Sequence, residues 1–177
     1  SFALVLSAYY LALGTSRSVT SEPFVVRFAV SLGDASRVAL RQAAGGAIVV
    51  GASLGLILVA VACFFDDPLR GGLLALGITL PGFLLQDFWR YAFFARERGA
   101  SALVIDLVWA SAVVVGFIGL RVVNTTSITW FVLVWGLGAW IAACVGAVQA
   151  RSFPQPLSAL SWWRSQSDLA PRFLAEF

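Results

Sequence analysis

Six ionisable residues stand within or at the ends of otherwise apolar stretches, and they are the chain's candidates for chemistry: Arg17, Glu22, Arg27, Asp87, Arg90 and Asp106. A charged side chain at the centre of a membrane helix costs about 2.5–3.5 kcal/mol on insertion scales, so each needs a partner or a use. The first three recur every five residues, which walks around a helix instead of keeping to one face. They fit two readings: side chains that snorkel to the surface as the helix leaves the membrane, or the lining of a cavity. Asp87 and Arg90 are three residues apart, share a helix face and can pair. Asp106 is expected in the first turn of its helix, where the dipole favours a carboxylate. The functional reading beside these structural ones is that Arg17 and Arg90 bind an anionic headgroup by charge-assisted hydrogen bonds.

Other chemistry is poorly provided for. The chain has no His, so a Ser-His-Asp or Cys-His arrangement and a His-based zinc site are ruled out. Cys63 and Cys144 sit singly in apolar runs and are expected to be small core residues. No GxGxxG or P-loop string occurs. The expectation is a protein that is not an enzyme, with no metal and no cofactor. A net charge of +3, with no basic stripe interleaved with aromatics, argues against nucleic acid as a partner.

The elements that must position these residues are apolar. Of 177 residues, 60% are hydrophobic and 12% charged, where a soluble domain carries about a quarter charged. The solvent that fits is lipid. All the positive charges are Arg, which keeps its charge when partly buried. Five apolar stretches follow one another: from residue 1 to about 30, Gly45 to Phe65, Gly72 to Phe94, Ser101 to Leu120, and Val122 to Ala150. Each uncharged run of about 20 residues can cross a bilayer as a helix. The fold expected is therefore all-α, a polytopic transmembrane bundle of about five spanning helices over residues 1–150. In the second stretch Ala47, Gly51 and Gly55 recur at four-residue spacing, putting a small face where another helix can come close. Trp130, Trp135 and Trp140 lie along the fifth, where mid-helix Trp is expected to pack on a neighbour.

Arginine placement predicts the orientation. Residues 31–44 hold Arg37 and Arg41, residues 95–100 hold Arg96 and Arg98, and the tail holds Arg151 and Arg164. The other two connections hold Arg70 and Arg121 singly. By the positive-inside rule the first set is cytoplasmic. In the tail, residues 151–177, Leu157, Leu160 and Trp163 recur at helical spacing, which predicts a short amphipathic segment in the interface. The segment after Pro171 is expected to open a further helix. The first run is expected to begin inside a helix, as part of a longer protein.

The strings Gln86-Asp87-Phe88-Trp89-Arg90-Tyr91, Phe94-Ala95 and Ala102-Leu103-x-x-Asp106-Leu107-x-Trp109 resemble the helix-four to helix-five hairpin of bacterial polysaccharide-export flippases. That superfamily includes O-antigen flippases, the lipid II flippase and multidrug and toxin extrusion transporters. Phe2-Ala3-Leu4-Val5-Leu6, Ala12-Leu13-Gly14 and Glu22-Pro23 resemble its helix two. Ile105 departs from the pattern, in which Asn is frequent. The resemblance implies most of the first of two six-helix lobes. It implies movement of a lipid-linked saccharide across the cytoplasmic membrane by alternating access. On that mapping Arg17 and Arg90 contact the pyrophosphate, and Glu22, Asp87 and Asp106 serve ion coupling or gating pairs.

Two other readings stay open. One is a cation-coupled drug antiporter of the same superfamily, for which a single acid deep in the bundle would speak. The other is a non-catalytic membrane scaffold or partner subunit, for which charges confined to the water interface would speak. The partners expected are membrane lipid, the lipid-linked substrate, and a second lobe or partner protein.

Overall fold

The computed structural model describes residues 2–28 and 33–169, and among these there are helices and turns but no strand. The order is α1 (Phe2–Ser16), a π turn (Arg17–Ser21), α2 (Glu22–Phe28), α3 (Asp34–Ala62), α4 (Leu69–Ala95), α5 (Gly99–Val122) and α6 (Ile128–Ala150). A 3-10 turn (Pro156–Ser158) and α7 (Ala159–Ser165) follow. Helices α3 to α6 are each long and apolar enough to cross a membrane. The first stretch is instead a 15-residue α-helix that continues through the π turn into α2. The expected helix after Pro171 lies outside the described residues.

Pro23 explains the π turn. Its ring nitrogen has no hydrogen to give to the carbonyl four residues back, and the ring crowds that carbonyl, so a helix must widen or kink there. The Glu22 N–H reaches back five residues to the Arg17 carbonyl. The carbonyl that Pro23 cannot serve, that of Val19, accepts the indole N–H of Trp162 from α7 at 3.1 Å.

α4 is the hub. Buried residues make up 72% of its apolar window but only 6% of that of α5, so α4 is packed on by its neighbours while α5 lies outermost. The small face of α3 seats directly on α4. A Cβ on Gly51 would come within 2.6 Å of the Pro81 Cα, and one on Gly55 would strike the Gly77 carbonyl. Ala47 is fully buried on the same face. On the opposite side Trp89 of α4 lies against Gly146 of α6. Tyr9, Phe83 and Trp135 tie α1, α4 and α6 together, with ring centroids 4.5–5.0 Å apart. Trp140 covers Gly82, whereas Trp130 is exposed.

Three expectations need correction. Residues 34–44 are the first turns of α3, not a loop, because Arg37 and Arg41 can point outward from a helix start. The fifth stretch begins at Ile128, after a turn in which Asn124 takes a left-handed conformation. Cys63 and Cys144 are exposed, not in the core. In the tail, Leu157 and Leu160 face outward, while Ala159 and Trp162 are buried. Because Trp162 is held by the Val19 carbonyl, that side of α7 turns to the bundle.

The helix directions bring the N-terminus of α3, the C-terminus of α4, the end of α6 and α7 to one end of the bundle. Arg37, Arg41, Arg96, Arg98, Arg151 and Arg164 gather there, and Asp66, Asp67, Arg70 and Arg121 lie at the other. If the α3–α4 contact needs these glycines, Gly51→Ala and Gly55→Ala each lower stability by about 1–3 kcal/mol through overpacking. Ala52→Val, on the exposed face, leaves it unchanged. Thermal unfolding in detergent tests this, and equal melting of all three variants would refute it.

Candidate functional site

Four of the candidate residues form one connected set on one side of α4. Asp87 is 3% exposed, and a carboxylate so deeply placed keeps its charge only beside cations and donors. Arg17 provides both: its Nε donates to Asp87 Oδ2 at 2.8 Å, and its Nη2 to Oδ1 at 2.7 Å. This two-pronged geometry is the strongest form of carboxylate recognition. The Arg17 guanidinium also lies 5.1 Å from the centre of the Tyr91 ring. Arg90, one turn along α4, stands 3.7 Å from Asp87 Oδ1 and 2.9 Å from Asp106 Oδ1 through its Nε. The Asp106 contact is an ion pair rather than a directed hydrogen bond, because the Arg90 N–H does not point at the oxygen. Gln86 Nε2 donates to the same oxygen at 3.2 Å.

The π turn, α4 and α5 are thus tied by two arginines and two carboxylates whose charges balance. Asp87 lies eight residues before Ala95, about 12 Å from the arginine-rich end of α4, and Asp106 seven residues after Gly99, about 10 Å. Arg17, Arg90 and Asp106 are each about one-third exposed, at 31%, 35% and 33%. The set is therefore partly open to the outside instead of filling a sealed core.

The expected i,i+3 pair of Asp87 and Arg90 is present, but it is the longer of Asp87's two contacts. Asp106 is not in a first turn: α5 begins at Gly99 with no acid in its first turn, so the carboxylate holds Arg90 and not a helix end. Glu22 opens α2, its backbone N–H closing the π turn on Arg17. Arg27 turns away to Ser165 O and Asp168 in the tail. Ile105 is fully buried among apolar side chains, so that position has no polar part. Gln86 and Tyr91 escaped the sequence reading, though both sit in the Gln86-to-Tyr91 string. The clue to Arg17 is Pro23, since a widened turn shifts the helix phase.

A larger apolar cavity of about 510 Å³, lined by Phe2, Val113, Phe117, Phe131 and Trp135 among others, holds none of the charged candidates. It lies between the start of α1, the end of α5 and the start of α6.

Removing Asp87 strands Arg17 and leaves Arg90 with Asp106 alone, whereas removing Arg17 leaves Asp87 with Arg90. Asp87→Asn is therefore expected to lower the melting temperature more than Arg17→Gln. The double variant should lose less than the sum, with a coupling of about 0.5–3 kcal/mol, the lower half being expected because Arg17 is partly solvated. Additive losses would refute the pairing.

No protein-family model, no curated protein and no solved structure matches this chain.

Proposed function

We propose that this chain is a lobe of a transporter in the cytoplasmic membrane that moves a lipid-linked saccharide by alternating access. α3 to α6 and the continuous run from α1 to α2 make five crossings in this reading. The arginine-rich end is cytoplasmic, and the tail lies at that surface with Phe153, Leu157 and Leu160 outward. Lipid surrounds α5, whose apolar side chains are mostly exposed.

The observation that carries the reading is the balanced set of Arg17, Asp87, Arg90 and Asp106, placed well inside α4 and open on one side. An arginine held by a carboxylate can exchange that partner for a phosphate without ever being left bare, because both offer planar or tetrahedral oxygens to the same fork. Entry of the pyrophosphate between Arg17 and Arg90 would release Asp87 and Asp106 and loosen the π turn and α5 from α4. That is a gate coupled to substrate charge. The resemblance of the α4–α5 strings to polysaccharide-export flippases points the same way.

One observation favours a second reading, a cation-coupled drug antiporter. Asp87 is the buried acid in the bundle, and neutralising it with a proton would also release Arg17. The scaffold reading is weakened because this carboxylate lies about 12 Å inside α4 and not at its end.

Reconstitution into liposomes separates them. Under the leading reading, the protein scrambles a fluorescent lipid-linked saccharide, and Arg17→Gln and Arg90→Gln each reduce the flux at least tenfold at unchanged protein level. Arg121→Gln, at the far end, does not. Undiminished flux in both arginine variants would overturn the role given to them. Proton-driven efflux of a cationic dye, lost in Asp87→Asn, with no saccharide movement would establish the antiporter instead.

A further inference from the structure

A second charged site lies at the arginine-rich end, apart from the set on α4. A polar cavity of about 440 Å³ is lined by Arg37, Arg41, Arg96, Arg98, Arg151 and Ser152, with apolar residues completing it. Five of these are cations, and no carboxylate is among the lining residues. Among the described residues the one ion pair these arginines make is that of Arg37 with Asp34, at 3.9 Å, with both side chains on the surface.

Arginines gathered at a cytoplasmic face satisfy a topology rule and nothing more if each waves freely in water. Here two are fixed. Arg96 Nη2 donates to Ser36 O at 3.2 Å and to Ser36 Oγ at 2.8 Å, and its guanidinium lies 5.6 Å from the Phe24 ring centre. Arg98 lies 5.1 Å from the Phe93 ring centre and donates to the Gln149 carbonyl at 3.3 Å. Burial first, then the neighbouring Arg98 and Arg37, make the Arg96 guanidinium hold its proton less firmly than usual. Arg151 ends α6 in a left-handed conformation, at φ 47°.

The wall they line is also built. The Gln155 N–H donates to the Arg41 carbonyl at 3.0 Å, and a Cβ on Gly45 would strike the Gln155 carbonyl. The tail is thereby pressed onto α3. It carries Ser152, which is 4% exposed and whose Oγ has no hydrogen-bond partner among the described residues. A buried hydroxyl without a partner is uncommon and asks for an acceptor or donor in the space it lines.

The geometry points to a binding site for a phosphate-bearing anion of at least two negative charges, held by the five arginines and hydrogen-bonded by Ser152. Arginine forks match phosphate oxygens, and a single monoanion would leave four cations facing one another. The chemistry is shared by a soluble diphosphate ester and by an anionic phospholipid headgroup. The inference does not rest on the transport reading, since it uses none of Arg17, Asp87, Arg90 or Asp106.

The test uses the full chain in nanodiscs of phosphatidylcholine, titrated with inorganic pyrophosphate by calorimetry. A parallel arm uses nanodiscs containing cardiolipin, whose headgroup carries two phosphates, and counts the lipids retained in native mass spectra. The variants are Arg41→Gln with Arg151→Gly, and Ser152→Ala. Glycine suits the left-handed backbone at 151, and the Arg41 side chain is exposed, so neither change endangers folding. Saturable pyrophosphate binding that weakens at least tenfold in the double variant, and about threefold in Ser152→Ala, identifies a soluble phosphate ligand. Retained cardiolipin that disappears in the double variant identifies a lipid headgroup. Binding in neither arm, or equal binding by wild type and double variant, overturns the site.

Discussion

A carboxylate that is almost wholly out of reach of solvent has to be answered by cations on other elements, and Asp87 imposes that demand on the bundle. Arg17 answers from the π turn and Arg90 from the next turn of α4, while Asp106 on α5 offsets the second arginine. Leaving Asp87 without its arginines would cost far more than the pairing does, because it is the buried partner. The relative positions of three helices therefore follow from one balanced set of charges. Packing is arranged around it, with Phe88 and Trp89 on either side of Asp87's turn filling the core behind.

The same economy of space governs the apolar contacts. Lipid offers no hydrophobic drive for one helix to find another, so close approach and dispersion must do the joining. Gly51 and Gly55 let α3 reach the α4 backbone, and Gly146 admits the Trp89 ring. α4 is covered on most sides while α5 meets mainly α6 and its surroundings. Apolarity alone does not say which of the two is buried: α5, the outermost, is the more apolar, while the covered α4 has no Val and carries Asp87 and Arg90.

That is why the sequence is informative about some features and silent about others. The small-residue repeat of α3 is a local spacing, and it indicates the face that packs. The segregation of arginines to alternate connections likewise predicts which ends meet. What spacing could not reveal are relations between distant segments: Arg17 with Asp87, seventy residues away, or the arginines from α3, α4 and α6 around one cavity. Helix rotation is set by neighbours and not by hydropathy, so the burial of Trp162 against the bundle could not be read from the tail's own spacing. Asp106 was misplaced for a simpler reason. Gly99 carries no N-cap signature, so the start of α5 had no marker in the residues before it.

The contact between Trp162 and the Val19 carbonyl has a bearing on how such a chain can change over generations. The acceptor is a backbone atom freed by a proline, so side chains around it on the first helix can drift without touching the contact. Two positions cannot. Loss of Pro23 would restore a rival donor from the helix itself, and loss of Trp162 would leave the carbonyl unserved by the tail. Descendants of this sequence are therefore expected to keep the proline and the tryptophan together, or to lose them together, while their surroundings diverge freely.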